Sequence, residues 1–229
     1  MRSVVLKPSP RCARCQLPPR WCVCGGHQDI RCPLQVDLLV SLRERFRPSS
    51  TGSLIGRLFP NSRQHIWDRE RLPTREQVAA PGRDLWILHP HGRPAPEGVD
   101  PAGVQVLLLD GSWSETSAMA REVLPWGRLV SLPMTGESRY WLRAQQEGGR
   151  FSTVEALLFL LDAFGLPAAR DTLRVQFELH VYAGLRSRGR IDVAEEFLES
   201  SIIKTALPEL LAQLHTRRPR EPSDRPPPR

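Results

Sequence analysis

The chain has 229 residues with a hydrophobic fraction of 40%, which is enough for one ample domain with small attachments. Its net charge is +7 at pH 7, and nearly all of its basic residues are arginines, because Lys7 and Lys204 are the only lysines. No run approaches the roughly 20 apolar residues that a membrane span needs, and the apolar stretch within residues 1–8 is too short for a secretory signal. These features exclude a membrane protein, and we expect a cytoplasmic chain.

Arginine-rich basic charge indicates the class of partner. A guanidinium makes bidentate hydrogen bonds to phosphates and stacks on bases, so nucleic acid is the leading partner class. A generally basic, solvated surface would give the same net charge. We expect no stable protein partner.

Strands alternate with helices along the chain, which predicts an α/β fold with a mainly parallel sheet and flanking helices. The predicted strands are 36–42, 84–89, 104–109 and 129–132. The predicted helices are 54–58, 114–124, 156–164, 171–186 and 194–215, the last broken near Pro208. Residues 60–82 have no clear period, and 134–151 form a polar loop. We divide the chain into a small N-terminal Cys-rich knuckle over 1–32, a main domain over 33–216, and a disordered Arg/Pro-rich tail over 217–229.

All five cysteines lie between Cys12 and Cys32. In a cytoplasmic chain, a Cys-x-x-Cys pair followed closely by Cys-x-Cys favours a metal over disulfides, because paired thiolates make a tetrahedral zinc site. The predicted ligands of a structural Zn²⁺ are Cys12, Cys15, Cys22 and Cys24, with His27 and Cys32 as spare candidates. An iron–sulfur cluster and a set of redox thiols are the alternatives.

A carboxylate stands at the end of the most apolar strand. The run 106–109 leads into Asp110-Gly111-Ser112-Trp113, directly before a predicted helix. Ligands of open α/β sheets bind beyond the carboxyl ends of the strands, so Asp110 is placed where chemistry occurs in such folds. Ser112 and Glu115 also form a capping box, which would fix the helix start for structural reasons alone.

Four segments, taken in order, resemble the motifs of the DTW-domain family, the tRNA-uridine aminocarboxypropyltransferases that include bacterial members. They are the cysteine cluster; Arg47-Pro48-Ser49-Ser50-Thr51-Gly52 with Arg57-Leu58; Asp110-Gly111-Ser112-Trp113; and Ser152-Thr153-Val154-Glu155-Ala156, preceded by Tyr140-Trp141-Leu142-Arg143. The resemblance runs from about Cys12 to the helix near Arg186. Ser50 stands where the family usually has asparagine, and Ser41-Leu42-Arg43-Glu44 stands where many members carry a His-Pro-containing stretch.

The resemblance implies a reaction and a fold. In such enzymes S-adenosylmethionine donates its 3-amino-3-carboxypropyl group to N3 of a uridine in tRNA, and methylthioadenosine leaves. It also implies a fold related to the SPOUT methyltransferases, with a C-terminal trefoil knot that holds the co-substrate. The main domain over 33–216 would then be the catalytic domain.

The resemblance also suggests roles for the motif residues. Asp110 is the candidate base or orienting group for uracil N3, with the donor's amino group or a purely structural role as alternatives. Trp113 is the candidate stacking partner of a base, the adenine or the sulfonium, or else a core residue. The candidate donor-binding residues are Ser50, Thr51, Gly52, Ser112, Ser152, Thr153 and Glu155, although Glu155 has the alternative of a capping role without ligand contact.

Four arginines are candidates for tRNA phosphates or the donor carboxylate, namely Arg47, Arg57, Arg139 and Arg143. A solvated surface position is the alternative for each. His89 and His91 are interpreted as loop residues, with contact to the ligand as the alternative.

Two other functions fit the pattern. A SPOUT-type RNA methyltransferase would use the same co-substrate and release adenosylhomocysteine. A non-catalytic, zinc-containing RNA-binding module would explain the arginines and cysteines but not Asp110 and Trp113. A Rossmann nucleotide site is disfavoured, because no Gly-x-Gly-x-x-Gly follows a strand.

Overall fold

A five-stranded sheet, with every strand parallel to its neighbours, forms the centre of the molecule. The computed structural model describes residues 10–68, 70–143 and 150–216. Within these residues the strand order is β2-β1-β4-β3-β5, with the strands at β1 (Gln35–Ser41), β2 (Gln64–Trp67), β3 (Asp84–Pro94), β4 (Val104–Asp110) and β5 (Arg128–Ser131). The central strands β1 and β4 are buried along almost their whole length, as apolar runs of parallel strands require.

Helices cover both faces of the sheet. Their bounds are α1 (Thr51–Leu58), α2 (Arg75–Val78), α3 (Trp113–Val123), α4 (Thr153–Ala163), α5 (Pro167–Ser187), α6 (Ile191–Glu199), α7 (Ile203–Ala206) and α8 (Pro208–His215). Successive strand residues point to opposite faces, so Leu108 enters the large core under α1, α4 and α5, whereas Leu107 and Leu109 enter the smaller core under α2 and α3. The predicted α/β fold with a parallel sheet is confirmed.

The sequence pattern places most elements correctly and misses one strand. All four predicted strands are present, but β2 falls in the segment without a clear period, because this edge strand has four residues and buries only the last of them. Strand β3 runs on to Pro94, so the interpretation of His89 and His91 as loop residues is wrong. A short 3-10 turn or loop joins most of the other elements.

The C-terminal helical region is more divided than its apolar pattern predicts. The break near Pro208 is confirmed, and a second break separates α6 from α7. At this second break the buried carboxylate of Glu178 accepts hydrogen bonds from Ser201 Oγ (2.5 Å) and Ile202 N (3.2 Å). The long-range contact therefore stabilises a chain reversal that local periodicity does not reveal.

The N-terminal knuckle packs directly on the main domain. Cys15, Leu17 and Val23 lie in the same hydrophobic core as α1 and α5. Gln176 Nε2 donates to Gly26 O at 2.7 Å, which ties the knuckle to α5. The predicted boundary at residue 32 stays a prediction, and the tail over 217–229 lies outside the described residues.

None of the helices within the described ranges combines the length and apolar content that crossing a membrane requires.

A buried carboxylate organises the amino-terminal edge of the sheet. Asp37 on β1 is fully buried. Its Oδ1 accepts from Arg63 N and Gln35 Nε2, both at 2.8 Å, and its Oδ2 accepts from Gln105 Nε2 at 2.6 Å and from the Arg63 guanidinium. Gln105 belongs to β4, so this one acid joins β1, β4 and the residue before β2.

We predict that Asp37→Ala lowers the free energy of unfolding by about 2 to 3 kcal/mol, because it leaves buried donors of Gln105 and Arg63 unpaired. Urea denaturation followed by circular dichroism measures the change. Asp171→Ala is the matched control, since Asp171 pairs with Arg170 at the surface, where ion pairs contribute little. A midpoint for Asp37→Ala equal to that of the control would contradict the assigned role of Asp37.

Candidate functional site

A cavity of about 920 Å³ opens at the carboxyl ends of β4 and β5, beside the middle of β3. Its walls include Leu88 from β3, Asp110 from β4 and Val130 from β5. The N-terminal ends of α3 and α4 also reach it, with Ser112 and Thr153 among the lining residues. The volume is that of a small-molecule site, and its position at the carboxyl edge of a parallel sheet is where ligands of such sheets bind.

Asp110 is the central polar group of this cavity. It is only 5% exposed. Its Oδ2 accepts a hydrogen bond from Ser50 Oγ at 2.9 Å, and its Oδ1 accepts one from Thr153 Oγ1 at 2.7 Å. Burial raises the pKa of Asp110, while the two hydroxyl donors oppose that rise. Three of the four motif segments therefore meet at one carboxylate.

The residues around Ser50 are fitted closely to Asp110. Ser50 is the N-cap of α1, and its Oγ accepts from Ser53 N at 3.0 Å while donating to Asp110. One hydroxyl can fill both roles, so Ser50 joins the start of α1 to Asp110. A Cβ at position 52 would lie 2.6 Å from Asp110 Oδ2, so Gly52 is required for the close approach of α1 to β4.

A second buried acid lies beside the cavity. Glu44 is 1% exposed and pairs with Arg47 and Arg143, each at 2.6 Å. Its charge acts to raise the pKa of Asp110, and Arg143, which lines the cavity, acts to lower it. Sequence reasoning missed Glu44, because an acid among arginines in a charged loop has the pattern of a solvated segment.

Trp113 stands at the mouth of the cavity. Its side chain is 49% exposed and lines the opening, so the alternative of a core residue is wrong. The guanidinium of Arg150 lies 5.3 Å from its ring centroid. Next to it, Ser112 accepts from Glu115 N and donates to Glu115 Oε2 at 2.7 Å. Ser112 thus caps α3 and lines the cavity at once.

Glu155 has its carboxylate fully engaged by the protein. Its Oε1 accepts from Arg139 N at 2.7 Å, and its Oε2 accepts from Ser152 N at 2.7 Å and Ser138 Oγ at 3.0 Å. These bonds fix the loop after β5 to the start of α4. The neighbours Ser152 and Thr153 line the cavity, and the geometry of Glu155 matches its alternative as a capping residue.

The four candidate arginines occupy different surroundings. Arg47 and Arg143 share Glu44 near the cavity. Arg139 donates to Ser200 Oγ and Phe197 O, both at 3.0 Å, and its guanidinium lies 4.1 Å from the Phe197 ring centroid. Arg57 is half-buried beside the cysteine cluster. Arg139 and Arg57 are therefore both half-buried and in contact with other parts of the protein, which no pattern in the sequence indicated.

The cysteine cluster has the geometry of a metal site. The sulfur atoms of Cys12, Cys15, Cys22 and Cys24 all lie within 4.8 Å of one another, with Cys12 to Cys24 at 3.6 Å and Cys15 to Cys22 at 3.8 Å. Tetrahedral coordination with metal–sulfur bonds of about 2.3 Å places sulfurs about 3.8 Å apart, whereas a disulfide needs about 2.05 Å. These cysteines could therefore bind a metal ion such as zinc.

The surroundings of the cluster affect its thiols differently. Backbone N–H donors, chiefly that of Cys15, lower the pKa of Cys12 to about 6, whereas burial raises the pKa of Cys22 and of Cys24. Among the described residues, Nε and Nη2 of Arg57 are buried without a hydrogen-bond partner, and Arg57 interacts electrostatically with the cluster. His27 and Cys32 lie outside the group of four. A guanidinium next to thiolates offsets their negative charge.

A family model described as DTW domain matches residues 9–183. That span includes the cysteine cluster, the segments around Ser50, Asp110 and Thr153, and most of α5. No solved structure matches the chain.

We predict that the purified chain carries one metal ion. Arg57→Met should release this ion to a chelator about 10-fold faster than the wild type, because removal of an outer-sphere partner typically weakens metal binding by that factor or more. Elemental analysis identifies the metal, and a colorimetric chelator follows its release. Arg11→Met is the matched control, since Arg11 is an exposed arginine of the same segment. Equal release rates for Arg57→Met and the control would contradict the role of Arg57, and bound iron would favour an iron–sulfur cluster.

Proposed function

We infer the function of this chain from its family, because it belongs to the DTW-domain family. We propose that it transfers the 3-amino-3-carboxypropyl group of S-adenosylmethionine to N3 of a uridine in tRNA. The family is associated with tRNA modification. The observation that carries the proposal is the convergence of the Ser50 and Thr153 hydroxyls on the buried carboxylate of Asp110, which lines the cavity. The proposal includes a SPOUT-related fold with a C-terminal trefoil knot, and the parallel sheet with a cavity at its carboxyl edge is compatible with that part.

The cavity offers suitable partners for each part of the donor. The Ser152 N–H and the Thr153 hydroxyl already donate to Glu155 and Asp110, so the Ser152 hydroxyl and the Thr153 N–H at the start of α4 are the groups suited to its carboxylate. The exposed face of Trp113 suits its sulfonium by cation–π attraction. Leu88, Val130 and Leu132 form an apolar wall suited to its adenine. Thr51 also lines the cavity, whereas Gly52 makes room for Asp110.

Asp110 takes the role of base or orienting group for the uracil. In the transfer, N3 bonds to the donor's γ-carbon, the carbon–sulfur bond breaks with its electrons moving to sulfur, and the N3 proton passes to a base. Burial raises the pKa of Asp110, which makes its carboxylate a stronger proton acceptor than an exposed aspartate. The bonds from Ser50 and Thr153 fix its orientation, and each oxygen retains a lone pair for the uracil.

The cysteine cluster has a structural role in this proposal. Four thiolate ligands fill the coordination sphere of Zn²⁺ and leave no position for a substrate. The ion, bound by Cys12, Cys15, Cys22 and Cys24, would therefore hold the knuckle against α1 and α5 and take no part in the transfer.

The product of the reaction tests the proposal directly. The purified protein is incubated with S-adenosylmethionine and unmodified bulk tRNA, and the RNA is digested and its nucleosides are analysed by mass spectrometry. We expect 3-(3-amino-3-carboxypropyl)uridine together with methylthioadenosine. A methylated nucleoside with adenosylhomocysteine would instead identify an RNA methyltransferase. An unchanged tRNA that the protein nevertheless binds would indicate a non-catalytic RNA-binding module.

We predict that kcat/KM falls as the pH is lowered through the pKa of Asp110, because the carboxylate must be ionised to accept a proton. Since burial raises that pKa, the acidic limb of the profile lies at a higher pH than an exposed aspartate would give. Asp110→Asn should lower the rate about 100-fold or more, as removal of a general base does. Rates of product formation across a pH series measure both effects.

Asp84→Asn is the matched control for this variant. Asp84 begins β3 at the opposite edge of the sheet and pairs with Arg128, so its pH profile should equal that of the wild type. A retained acidic limb and an unchanged rate in Asp110→Asn would exclude Asp110 as the base.

A further inference from the structure

An exposed basic loop with an aromatic residue borders the cavity. We define residues 42–47 as the rim loop. Phe46 is 70% exposed and Leu42 is 46% exposed, and the arginines at positions 43, 45 and 47 also face solvent. Glu44 is the buried member of the loop. The fold thus leaves a large aromatic side chain and three guanidinium groups on the surface of one short turn.

The rim loop is held in a defined conformation by Glu44. The Glu44 carboxylate pairs with Arg47 and Arg143. Glu44 N donates to Ser41 Oγ at 3.3 Å, and Arg47 N donates to Glu44 O at 3.0 Å. Because the buried acid fixes the turn, Phe46 is presented to solvent by a fixed backbone. Its exposed apolar surface brings no stability to the isolated fold, and it stands among the exposed arginines 43, 45 and 47, a combination that single-stranded nucleic-acid sites use.

The position of the rim loop connects it with the cavity mouth. Arg143, one of the partners of Glu44, lines the cavity. Arg43 and Arg47 interact electrostatically with Glu115 in the first turn of α3, two residues beyond Trp113. A ligand that enters the cavity past Trp113 therefore passes next to the rim loop.

We propose that the rim loop is a docking platform for single-stranded RNA, on which Phe46 stacks against the base next to the target nucleotide while Arg43 and Arg45 contact its phosphates. This inference rests on the proposed function for the identity of the target. Aromatic rings interspersed with arginines are typical of single-stranded nucleic-acid sites, because each base has a π-face and each nucleotide a phosphate. The guanidinium of Arg45 lies 5.6 Å from the Phe46 ring centroid, so both contacts are available to one nucleotide.

Charge favours RNA over a protein partner at this surface. The only acid of the rim loop is buried and paired, so its exposed side chains are basic or apolar. The whole chain carries a net charge of +7, which attracts a polyanion at long range. An acidic protein would satisfy the arginines but would not supply flat π-faces along its length.

The test separates stacking from simple apolar contact by means of three substitutions at one position. Binding of unmodified bulk tRNA is measured by filter retention for Phe46→Ala, Phe46→Leu and Phe46→Trp. We expect about 10-fold weaker binding for the alanine and leucine variants, because neither has a π-face, and wild-type or tighter binding for the tryptophan variant. Leu124→Ala is the matched control, since Leu124 is 53% exposed and follows the far end of α3.

The salt dependence of RNA binding tests the phosphate contacts of Arg43 and Arg45. Arg43→Ala and Arg45→Ala should each lower the slope of log K against log salt by about 0.7, the value for one single-strand phosphate contact. Arg121→Ala is the control, because Arg121 is an exposed residue of α3. We expect its slope to equal that of the wild type. In the transfer assay, Phe46→Ala should raise the KM for tRNA and leave the KM for S-adenosylmethionine unchanged.

The outcomes for the platform and for the proposed reaction are distinguishable. Binding of Phe46→Ala within twofold of the wild type, or equal binding of the leucine and tryptophan variants, would overturn the platform whatever reaction the enzyme performs. Absence of RNA binding by the wild type would also overturn it. Loss of binding in Phe46→Ala with recovery in Phe46→Trp, but no aminocarboxypropyl product from the wild type, would support the platform and reject the proposed reaction.

Discussion

The carboxylate of Asp110 joins three segments that are far apart in the chain. Ser50 is 60 residues before it and Thr153 is 43 residues after it, and both hydroxyls donate to it from the first turn or cap of a helix. A carboxylate at this depth needs such partners, because a buried charge without hydrogen bonds is strongly disfavoured. The same requirement explains Gly52, since any side chain there would push α1 away from Asp110. The shape of the cavity therefore follows from satisfying one buried acid.

Helix α1 connects this acid with the cysteine cluster. Its eight residues span about 12 Å, with the N-cap Ser50 bonded to Asp110 at one end and Arg57 against the cluster in the last turn. The next residue, Leu58, accepts a hydrogen bond from Ile30 N of the knuckle at 2.7 Å. A metal ion that fixed the four sulfurs would thus stabilise the position of the hydroxyl that orients Asp110. The N-terminal knuckle contributes to the cavity without lining it.

Local sequence patterns predicted the structure correctly where a single element determines it. They did not predict it where two elements that are distant in the chain meet. The apolar run before Asp110 and the capping boxes at Ser112 and Ser152 place the strand end and both helix starts correctly. Glu44 pairs with the distant Arg143 as well as with the nearby Arg47, and Arg57 and Arg139 contact distant segments, so their sequence neighbours do not reveal their burial. Strand β2 was missed for a related reason, because a short edge strand is defined by its pairing with β1 and not by its own period.

The cavity wall carries charges of both signs. Arg143 and Arg150 line it together with the buried Asp110, which interacts electrostatically with Glu44. A phosphate is attracted to the rim, but repulsion by the two carboxylates disfavours its entry, since electrostatic interactions are strong where water is excluded. A uracil ring is uncharged until N3 loses its proton, so it can pass between the arginines and meet the acid. Under the proposed function, an RNA backbone would therefore stay outside while a single base enters, which is the separation that modification of a base requires.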